Sequence, residues 1–567
     1  MRSKASLTSR KQAAVCPERR FAAGLGRTAA EKPTSSQRST CDNRGRTLKT
    51  LALLVLLLVL APVWGAEPRQ PNVLILMCDQ LNAAVLGCYG GAVPTPNIDR
   101  LAREGVRFNN AVCPTPFCSP SRASLITGLY PHKHGIVLNV NRRDYPAYNS
   151  PPTQEGIKAS DITTEKLLHA AGYATHHYGK WHLMDEDLPY YRDMYGEHHE
   201  YARELAPVFA EVRQRDAGTW MDWYGWALPT EQSAAFRQAA ASVKDRWQKE
   251  KFAEFVTKMG RLRLPLAQHF DVRVADKTVE RIAALRNRPF MITCSFNVPH
   301  DPNVVPSPYY EMFDPARIKL PANRGVIEDR FRNDWGRRIV ADLGEPGLRE
   351  FLRVYYAMVK LVDDQVGRIL KALEASGQLD RTIIVFTADH GDMAGGHGMV
   401  WKSTGAFYDE IVRVPLLMRF PGAFKPLRSE LAVDLTDLMP TLLELTGQPI
   451  PQGAQGQSLV PYLTGRKEAS QARRYSFCER VGGNRQNSRK LDASAKGTFM
   501  VRGQGWKYIR YADGTEYLYH LAADPVETSN LADHPAQQQR KQEMVEALHD
   551  WQRRTGWPGS MSRSGKN

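Results

Sequence analysis

Pro71-Asn72-Val73-Leu74-Ile75-Leu76-Met77-Cys78-Asp79-Gln80 is the stretch from which the fold is read. Val73 to Met77 are apolar without alternation, the pattern of a strand buried on both faces and hence of a parallel sheet covered by helices. The run ends in Asp79 and Gln80, so polar groups leave the sheet at the carboxyl end of a strand, where α/β proteins build their sites. Two further runs of this kind, Phe290 to Phe296 and Ile383 to Thr387, predict two more central strands, and the second leads into Asp389-His390-Gly391-Asp392. Leu348 to Ala375 predicts a long amphipathic helix, with Phe351, Val354, Tyr355, Met358, Leu361, Val362 and Val366 mostly three or four apart, stopped by Gly377. The expected fold class is α/β, with a large, mostly parallel central sheet flanked by helices.

Outward from this frame the pattern changes twice. Residues 185–265 are rich in charge and in Trp220, Trp223, Tyr224, Trp226 and Trp247, and read as a helical, aromatic-rich insertion whose rings either pack among themselves or form a sugar-stacking platform. After residue 465 the composition turns polar through Gln471 to Lys496. Strand-like pieces at Thr498 to Val501 and Trp506 to Tyr511 and a helix at Gln537 to Arg554 then predict a smaller α+β subdomain. The expected organisation is a leader at 1–66, a main domain at 67–465 and a C-terminal subdomain at 466–567.

The leader holds much of the charge. Residues 1–49 carry 12 Lys/Arg against 3 Asp/Glu, more than half of the net +16, so no nucleic-acid partner is expected of the rest. An uncharged run from Thr50 to Ala66, with Leu51 to Leu60 at its centre and Val63-Trp64-Gly65 behind it, reads as a signal peptide. An uncleaved anchor is the alternative; Pro62 and the short apolar run favour cleavage, export to a periplasmic or extracellular space, and no membrane attachment afterwards. Beyond the leader, Cys78, Cys88, Cys113, Cys118, Cys294 and Cys478 are too few to make a disulfide framework the basis of the fold.

Cys118-Ser119-Pro120-Ser121-Arg122-Ala123-Ser124-Leu125-Ile126-Thr127-Gly128 reads as a short helix, with Ser119 able to cap it, Pro120 suited to its first position and Gly128 to its end. Cys118 then lies at a helix N-terminus, whose unsatisfied N–H groups favour an anion, with Arg122 one turn on. Asp79 and Asp389, at the ends of separate buried strands, can together hold one cation.

The residues from Cys118 to Gly128 match the signature by which sulfatases are recognised, and the chain resembles that family from residue 71 to about 450, and more weakly through Trp506 to Ile509 and Tyr517 to Pro525. The resemblance implies an alkaline-phosphatase-like fold and hydrolysis of sulfate esters, with Cys118 oxidised by a formylglycine-generating or equivalent maturation enzyme. A thiolate attacking sulfur would leave a thiosulfate needing a second hydrolysis, whereas an aldehyde hydrate offers one hydroxyl to attack and another to expel sulfate. By the same resemblance one Ca²⁺, or another divalent cation, is ligated by Asp79, Gln80, residue 118, Asp389 and His390. The chain departs from the commonest family pattern, which has a second Asp where Gln80 stands and often Asn where His390 stands; this lowers the site's negative charge and adds a nitrogen donor.

Gly179-Lys180-Trp181-His182 and Val298-Pro299-His300-Asp301-Pro302 resemble the motifs that supply a Lys and two His to the family's sulfate pocket, and Lys402, beyond His397-Gly398, resembles a third. The catalytic set implied is Cys118, Arg122, Lys180, His182, His300 and Lys402, with His300 protonating the leaving oxygen and His182 taking a proton during regeneration of the aldehyde. His132, His134 and His397 read as ordinary hydrogen-bonded histidines, and Asp392 as structural. The expected substrate is a sulfated carbohydrate. Two other readings stay open: a phosphonate or phosphodiester hydrolase of the same superfamily, and a silent binder of sulfated glycans that retains its thiol.

Overall fold

In the computed structural model the 71–80 stretch forms a strand, Asn72–Asp79, buried along its whole length. The structure describes residues 70–140, 155–183, 226–403, 405–482 and 495–559, with the short pieces 188–189, 193–195, 207, 211, 219–223 and 491. The leader lies outside these residues.

Eight strands, β1 (Asn72–Asp79), β2 (Val106–Phe108), β3 (Ala174–Gly179), β4 (Asp193–Tyr195), β5 (Phe290–Pro299), β6 (Thr382–Ala388), β7 (Leu416–Arg419) and β8 (Leu427–Ser429), form one sheet in the order β8-β2-β7-β6-β1-β5-β3-β4. The three apolar runs are neighbours at its centre: Val73 pairs in parallel with Ile383 on one side and Met291 on the other. From β6 to β4 all pairings are parallel, while β7 runs antiparallel to both its neighbours. The carboxyl ends of β1, β3, β5 and β6 therefore open on one edge, the arrangement in which helical crossovers cover both faces.

Helix α1 (Cys118–Thr127) meets the open edge through Ser121, whose Oγ donates to the Asp389 carbonyl, and α2 (Phe270–Ala284) packs on β3 and β5. The predicted Leu348–Ala375 helix is the second part of a run, Trp335–Ala375, broken at Gly344 (φ 60°, ψ −174°). Pro346 follows the break within the first turn of the new segment, where its missing N–H costs nothing. Gly377, in the left-handed region, ends it as expected.

Among its described residues the 185–265 insertion holds strands beside its helices. Thr219–Trp223 and Trp226–Glu231 pair antiparallel, and Met259–Leu262 and Asn303–Pro306 extend them into a second, four-stranded sheet. Aromatic residues favour such pairing over helix. The insertion's helical part includes two segments, Ala234–Ser242 and Arg246–Thr257, capped by Ser233 and Asp245. The side chains of Trp220, Trp223, Tyr224, Trp226 and Trp247 lie outside the described residues, and with them the proposed platform.

At the C-terminal end, Ser476–Val481, Gly497–Gly503, Trp506–Arg510 and Glu516–His520 form an antiparallel meander followed by α3 (Gln538–Thr555). Its first strand falls inside the stretch read as polar, because Phe477, Cys478 and Val481 are buried between charged neighbours. Among the described residues no helix is long and apolar enough to cross a membrane.

Candidate active site

Asp79 ends β1, Asp389 follows β6 directly, Lys180 follows β3 and His300 follows β5, so the sheet alone brings these four chain segments to one edge. The backbone turns sharply as it leaves: Gln80, His182 and Trp401 have φ of 62°, 59° and 62°. Such left-handed conformations cost a non-glycine residue on the order of 1–3 kcal/mol and persist where surroundings enforce them. At Gly179 (φ 97°) a Cβ would stand 1.8 Å from the Ser295 carbonyl oxygen, so only glycine lets β3 end close enough to β5 to deliver Lys180.

The helix carrying Cys118 begins two residues earlier than its composition suggested. Phe117, not Ser119, is its N-cap, with the Phe117 carbonyl accepting from Ser121 N–H at 3.0 Å. Ser119 instead fastens a later loop, its Oγ accepting from Val140 N–H at 3.0 Å. Gly128 ends the helix as expected, in the left-handed region, donating to Ser124 O at 3.0 Å. All ten residues of α1 are buried, which fixes Cys118 against the sheet edge.

Arg122, one turn along, is 2% exposed and clamps the two strand-end carboxylates: Nε donates to Asp389 Oδ2 at 2.8 Å and Nη2 to Asp79 Oδ2 at 3.2 Å. Nη1 donates to the Lys180 carbonyl at 2.7 Å and to Ser295 Oγ at 2.9 Å. With its nitrogens spent in this way, Arg122 acts on the site by holding its carboxylates in place. Lys180 Nζ completes the clamp 2.5 Å from Asp79 Oδ2. Burial and the neighbouring Cys118 sulfur push the Asp79 pKa up, but Lys180, His300 and Arg122 outweigh them and hold it well below the usual range. Asp389 moves the other way, raised by burial and by Asp79.

Asp79, Cys118, Asp389 and His390 each place one potential ligand atom within 4.8 Å of the others, all four buried. His390 Nδ1 lies 2.9 Å from the Gly391 carbonyl, which assigns the proton to Nδ1 and leaves Nε2 as a donor atom facing the group. Nε2 is 3.2 Å from Cys118 Sγ and 3.9 Å from both Asp79 Oδ1 and Asp389 Oδ1. Burial opposes charge on His390, yet Asp389 and the Cys118 sulfur raise its pKa to about 9. Two carboxylates, an imidazole nitrogen and residue 118 suit a divalent cation, which competes with that proton.

On the open side, Lys402 Nζ lies 3.0 Å from His300 Nε2, 3.3 Å from Gln80 Oε1 and 3.4 Å from Cys118 Sγ. Burial works against its charge, but Cys118, Asp79, Asp301 and Asp389 raise its pKa above the ordinary value. His300 Nδ1 is 2.6 Å from the Asp301 carbonyl and 3.1 Å from its carboxylate, so His300 Nε2 and Lys402 share a proton position. Burial lowers the His182 pKa to about 4 despite its hydrogen bond with Cys118, leaving it neutral and able to accept a proton near neutral pH. Burial would raise the Cys118 thiol, but Lys402, Lys180 and His390 with the His182 hydrogen bond bring its pKa well below the ordinary value.

Every residue expected at the site thus converges on residue 118, directly, through Asp79, or, for Gln80 and His300, through Lys402. Sequence reasoning passed over Ser295, which accepts from Arg122, and Tyr355, whose hydroxyl donates to the Gln80 carbonyl at 2.8 Å and accepts from Asn82 N–H at 2.9 Å. Neither carries a local signal; only the topology brings them in. The three histidines set aside are held elsewhere: His132 by Glu479, His134 by Ser124, and His397 stacked 3.6 Å from Tyr408.

A family profile described as Sulfatase matches residues 71–448, and one described as N-sulphoglucosamine sulphohydrolase, C-terminal, matches residues 395–554. An N-acetylglucosamine-6-O-sulfatase of Bacteroides thetaiotaomicron is 27% identical over 86% of this chain and 87% of its own length. An ulvan-active sulfatase of Formosa agariphila is 28% identical over 83% of this chain and 78% of its own. The solved phosphonate monoester hydrolase of Agrobacterium radiobacter shares the fold, with a TM-score of 0.67 at 24% identity over 86% of this chain and 96% of that one.

Proposed function

The chain belongs to the sulfatase family, whose members hydrolyse sulfate esters, and from that premise we propose that its substrate is an O-sulfated carbohydrate and that residue 118 acts as formylglycine. The names of the Bacteroides and Formosa relatives support the substrate class. The observation that carries the reading is the position of Cys118, whose sulfur lies 3.4 Å from Lys402 Nζ and 3.2 Å from His390 Nε2, inside the four-residue ligand group.

Oxidation of Cys118 by a maturation enzyme supplies an aldehyde whose hydrate offers one hydroxyl to attack sulfur and one to release it. Asp79, Asp389, His390 and residue 118, with Gln80 beside them, would hold one cation, Ca²⁺ on family precedent, which supplies positive charge against the sulfate oxygens. Lys180 and Lys402 bring further cationic charge to the side where the ester's negative charge grows. His300 Nε2, sharing a proton with Lys402, gives it to the leaving oxygen, and neutral His182 takes one at the oxygen borne by residue 118. Arg122 keeps Asp79 and Asp389 in register throughout. Export through the leader at 1–66, and division at about residue 465 into a main domain and a C-terminal subdomain, complete the proposal.

Peptide mass spectrometry across residue 118 of active enzyme should find formylglycine, and Cys118→Ala should lower turnover of a sulfated monosaccharide on the order of 10⁴-fold or more. Full turnover in that variant overturns the mechanism. A second reading, hydrolysis of phosphonates or phosphodiesters, draws on the Gln80 and His390 departures from the common pattern. Matched aryl sulfate, phosphodiester and phosphonate substrates separate the two, the sulfate being turned over fastest if the first is right.

A further inference from the structure

We propose that Asp392 is a positioning residue that sets which end of the Gln80 amide faces the reaction centre and ties the segment carrying Lys402 to the end of β1. The inference rests on the reading of the site as a cation-assisted hydrolase and concerns a residue outside its expected set.

Asp392 is fully buried and spends its carboxylate on two segments at once. Oδ2 accepts from Gln80 Nε2 at 2.6 Å, while Oδ1 accepts from Ala394 N–H at 2.7 Å and from Trp401 N–H at 3.0 Å. Its carbonyl accepts from Asn82 Nδ2 at 2.9 Å, a second tie to the chain leaving β1. Trp401 is the residue before Lys402, so one carboxylate fixes both Gln80 and the backbone from which Lys402 extends. At Gln80 the backbone is already locked in its left-handed turn, its N–H donating to Asp389 Oδ1 at 3.1 Å and its carbonyl accepting from Tyr355. Only the amide can still rotate.

The partners of that amide leave it one satisfied orientation. A carboxylate only accepts and an ammonium only donates, so Nε2 must face Asp392 and Oε1 must face Lys402, 3.3 Å away, on the side of Cys118. An oxygen, not an N–H pair, is thereby presented where a cation and its ligands converge. This is how a neutral amide can stand beside Asp79 without repelling a cation: Asp392 carries the negative charge one residue further out and transmits its direction through the amide dipole.

Asp392→Asn keeps the shape and an acceptor for the two backbone N–H groups, but it offers Gln80 an NH₂. The Gln80 amide must then turn over and aim its own NH₂ at Lys402 and the cation. Gln80→Glu alone sets two carboxylates against each other across the 2.6 Å contact that Gln80 Nε2 now makes with Asp392. The double variant Q80E/D392N restores the hydrogen bond with its polarity reversed and returns an oxygen to the reaction centre. The readout is calorimetric titration of Ca²⁺ into the full chain, with thermal melting and kcat measured beside it.

The expected result is a Ca²⁺ affinity at least tenfold weaker in D392N and in Q80E, recovered by tenfold or more in Q80E/D392N, with kcat following the same order. A purely structural role for Asp392 predicts instead that both D392N proteins melt lower and that the double variant recovers nothing. Unchanged affinity in D392N, or a double variant no better than its singles, overturns the inference. Should the parent chain bind no divalent cation, the reading of the site fails first and independently of Asp392.

Discussion

The reaction centre and the seam beneath the C-terminal meander are built from the same materials, buried histidines, lysines and carboxylates, and differ in how those groups are spent. In the seam, His132 Nδ1 sits 2.9 Å from both oxygens of Glu479, and its Nε2 is 3.2 Å from the Thr555 carbonyl. At the centre, His390 commits Nδ1 to the Gly391 carbonyl and leaves Nε2 among Cys118, Asp79 and Asp389. A carboxylate raises both imidazoles against burial, Glu479 for His132 and Asp389 for His390. Burial and a shifted pKa therefore do not separate function from structure here; the uncommitted nitrogen does. The lysines repeat the contrast. Lys507, fully buried, meets Asp409 at 2.5 Å, Glu527 at 2.7 Å and the Phe407 carbonyl at 3.0 Å, three partners for three protons. Lys402 points instead at Cys118, His300 and Gln80, none of them a permanent counter-ion.

Exchanging one lysine from each region gives the largest contrast. Lys507→Met leaves Asp409 and Glu527 buried without that cation, and breaking a buried pair from one side costs about 3–5 kcal/mol. Arg502, bonded to Asp409 at 2.8 Å and 3.0 Å, keeps the cost from rising further. Lys402→Met should leave the denaturant midpoint nearly unchanged and lower kcat on the order of 10²- to 10³-fold, as loss of a transition-state charge partner does. Equal stability losses in the two variants, read by urea unfolding, would erase the distinction.

The histidines sharpen it at smaller cost. His132→Asn strands the Glu479 carboxylate and the Thr555 carbonyl, for about 1–3 kcal/mol of stability, with kcat per folded molecule unchanged. His390→Ala, which removes the ligand atom outright, should barely move the melting temperature and should weaken Ca²⁺ binding by at least the roughly 10- to 100-fold that altered supporting residues already cost a metal site. Melting curves and cation titrations of the two proteins should be mirror images.

The centre was more legible in the sequence than the seam for the same reason. Val73–Met77, Phe290–Phe296 and Ile383–Thr387 announced the parallel core because strands covered on both faces have no polar side to obscure them. Asp79 and Asp389 could be placed because each comes just after such a strand, and Lys180 and His300 because the motifs around them resemble the family's. The seam offered no such cue: Glu479 lies on Ser476–Val481, a strand whose buried Phe477 and Cys478 stand beside charged residues that look solvated until Lys507, Arg502 and His132 are seen to pair across the fold. The start of α1 was misplaced because Ser119 has good capping chemistry that tertiary contact with Val140 uses instead. Asp392 reads only as structural in the sequence, since its partners, at 80, 394 and 401, become neighbours only when the 389–402 segment folds back over β1.

The smallest effect tests whether the two regions respond to acid with opposite sign. Behind the centre, burial depresses His177 to about 3 and His269 to about 4. Their unfolded values lie near 6.5, so their contribution is complete above that pH and is lost as protons bind the unfolded chain and not the folded one. Between pH 6.5 and 5.5 each should cost about 1 kcal/mol. His132 is raised, so its contribution is complete below 6.5 and is lost as pH climbs through its folded value. Removing His132 takes away the one contribution of these three that strengthens on acidification. His132→Asn should therefore lose stability more steeply than the parent between pH 8 and 6, and His269→Gln less steeply between pH 6.5 and 5, both measured as urea midpoints across pH. Parallel curves for all three proteins would mean that the seam histidine and the buried histidines behind the site feel the same field, and the contrast between spent and unspent nitrogens would lose its electrostatic basis.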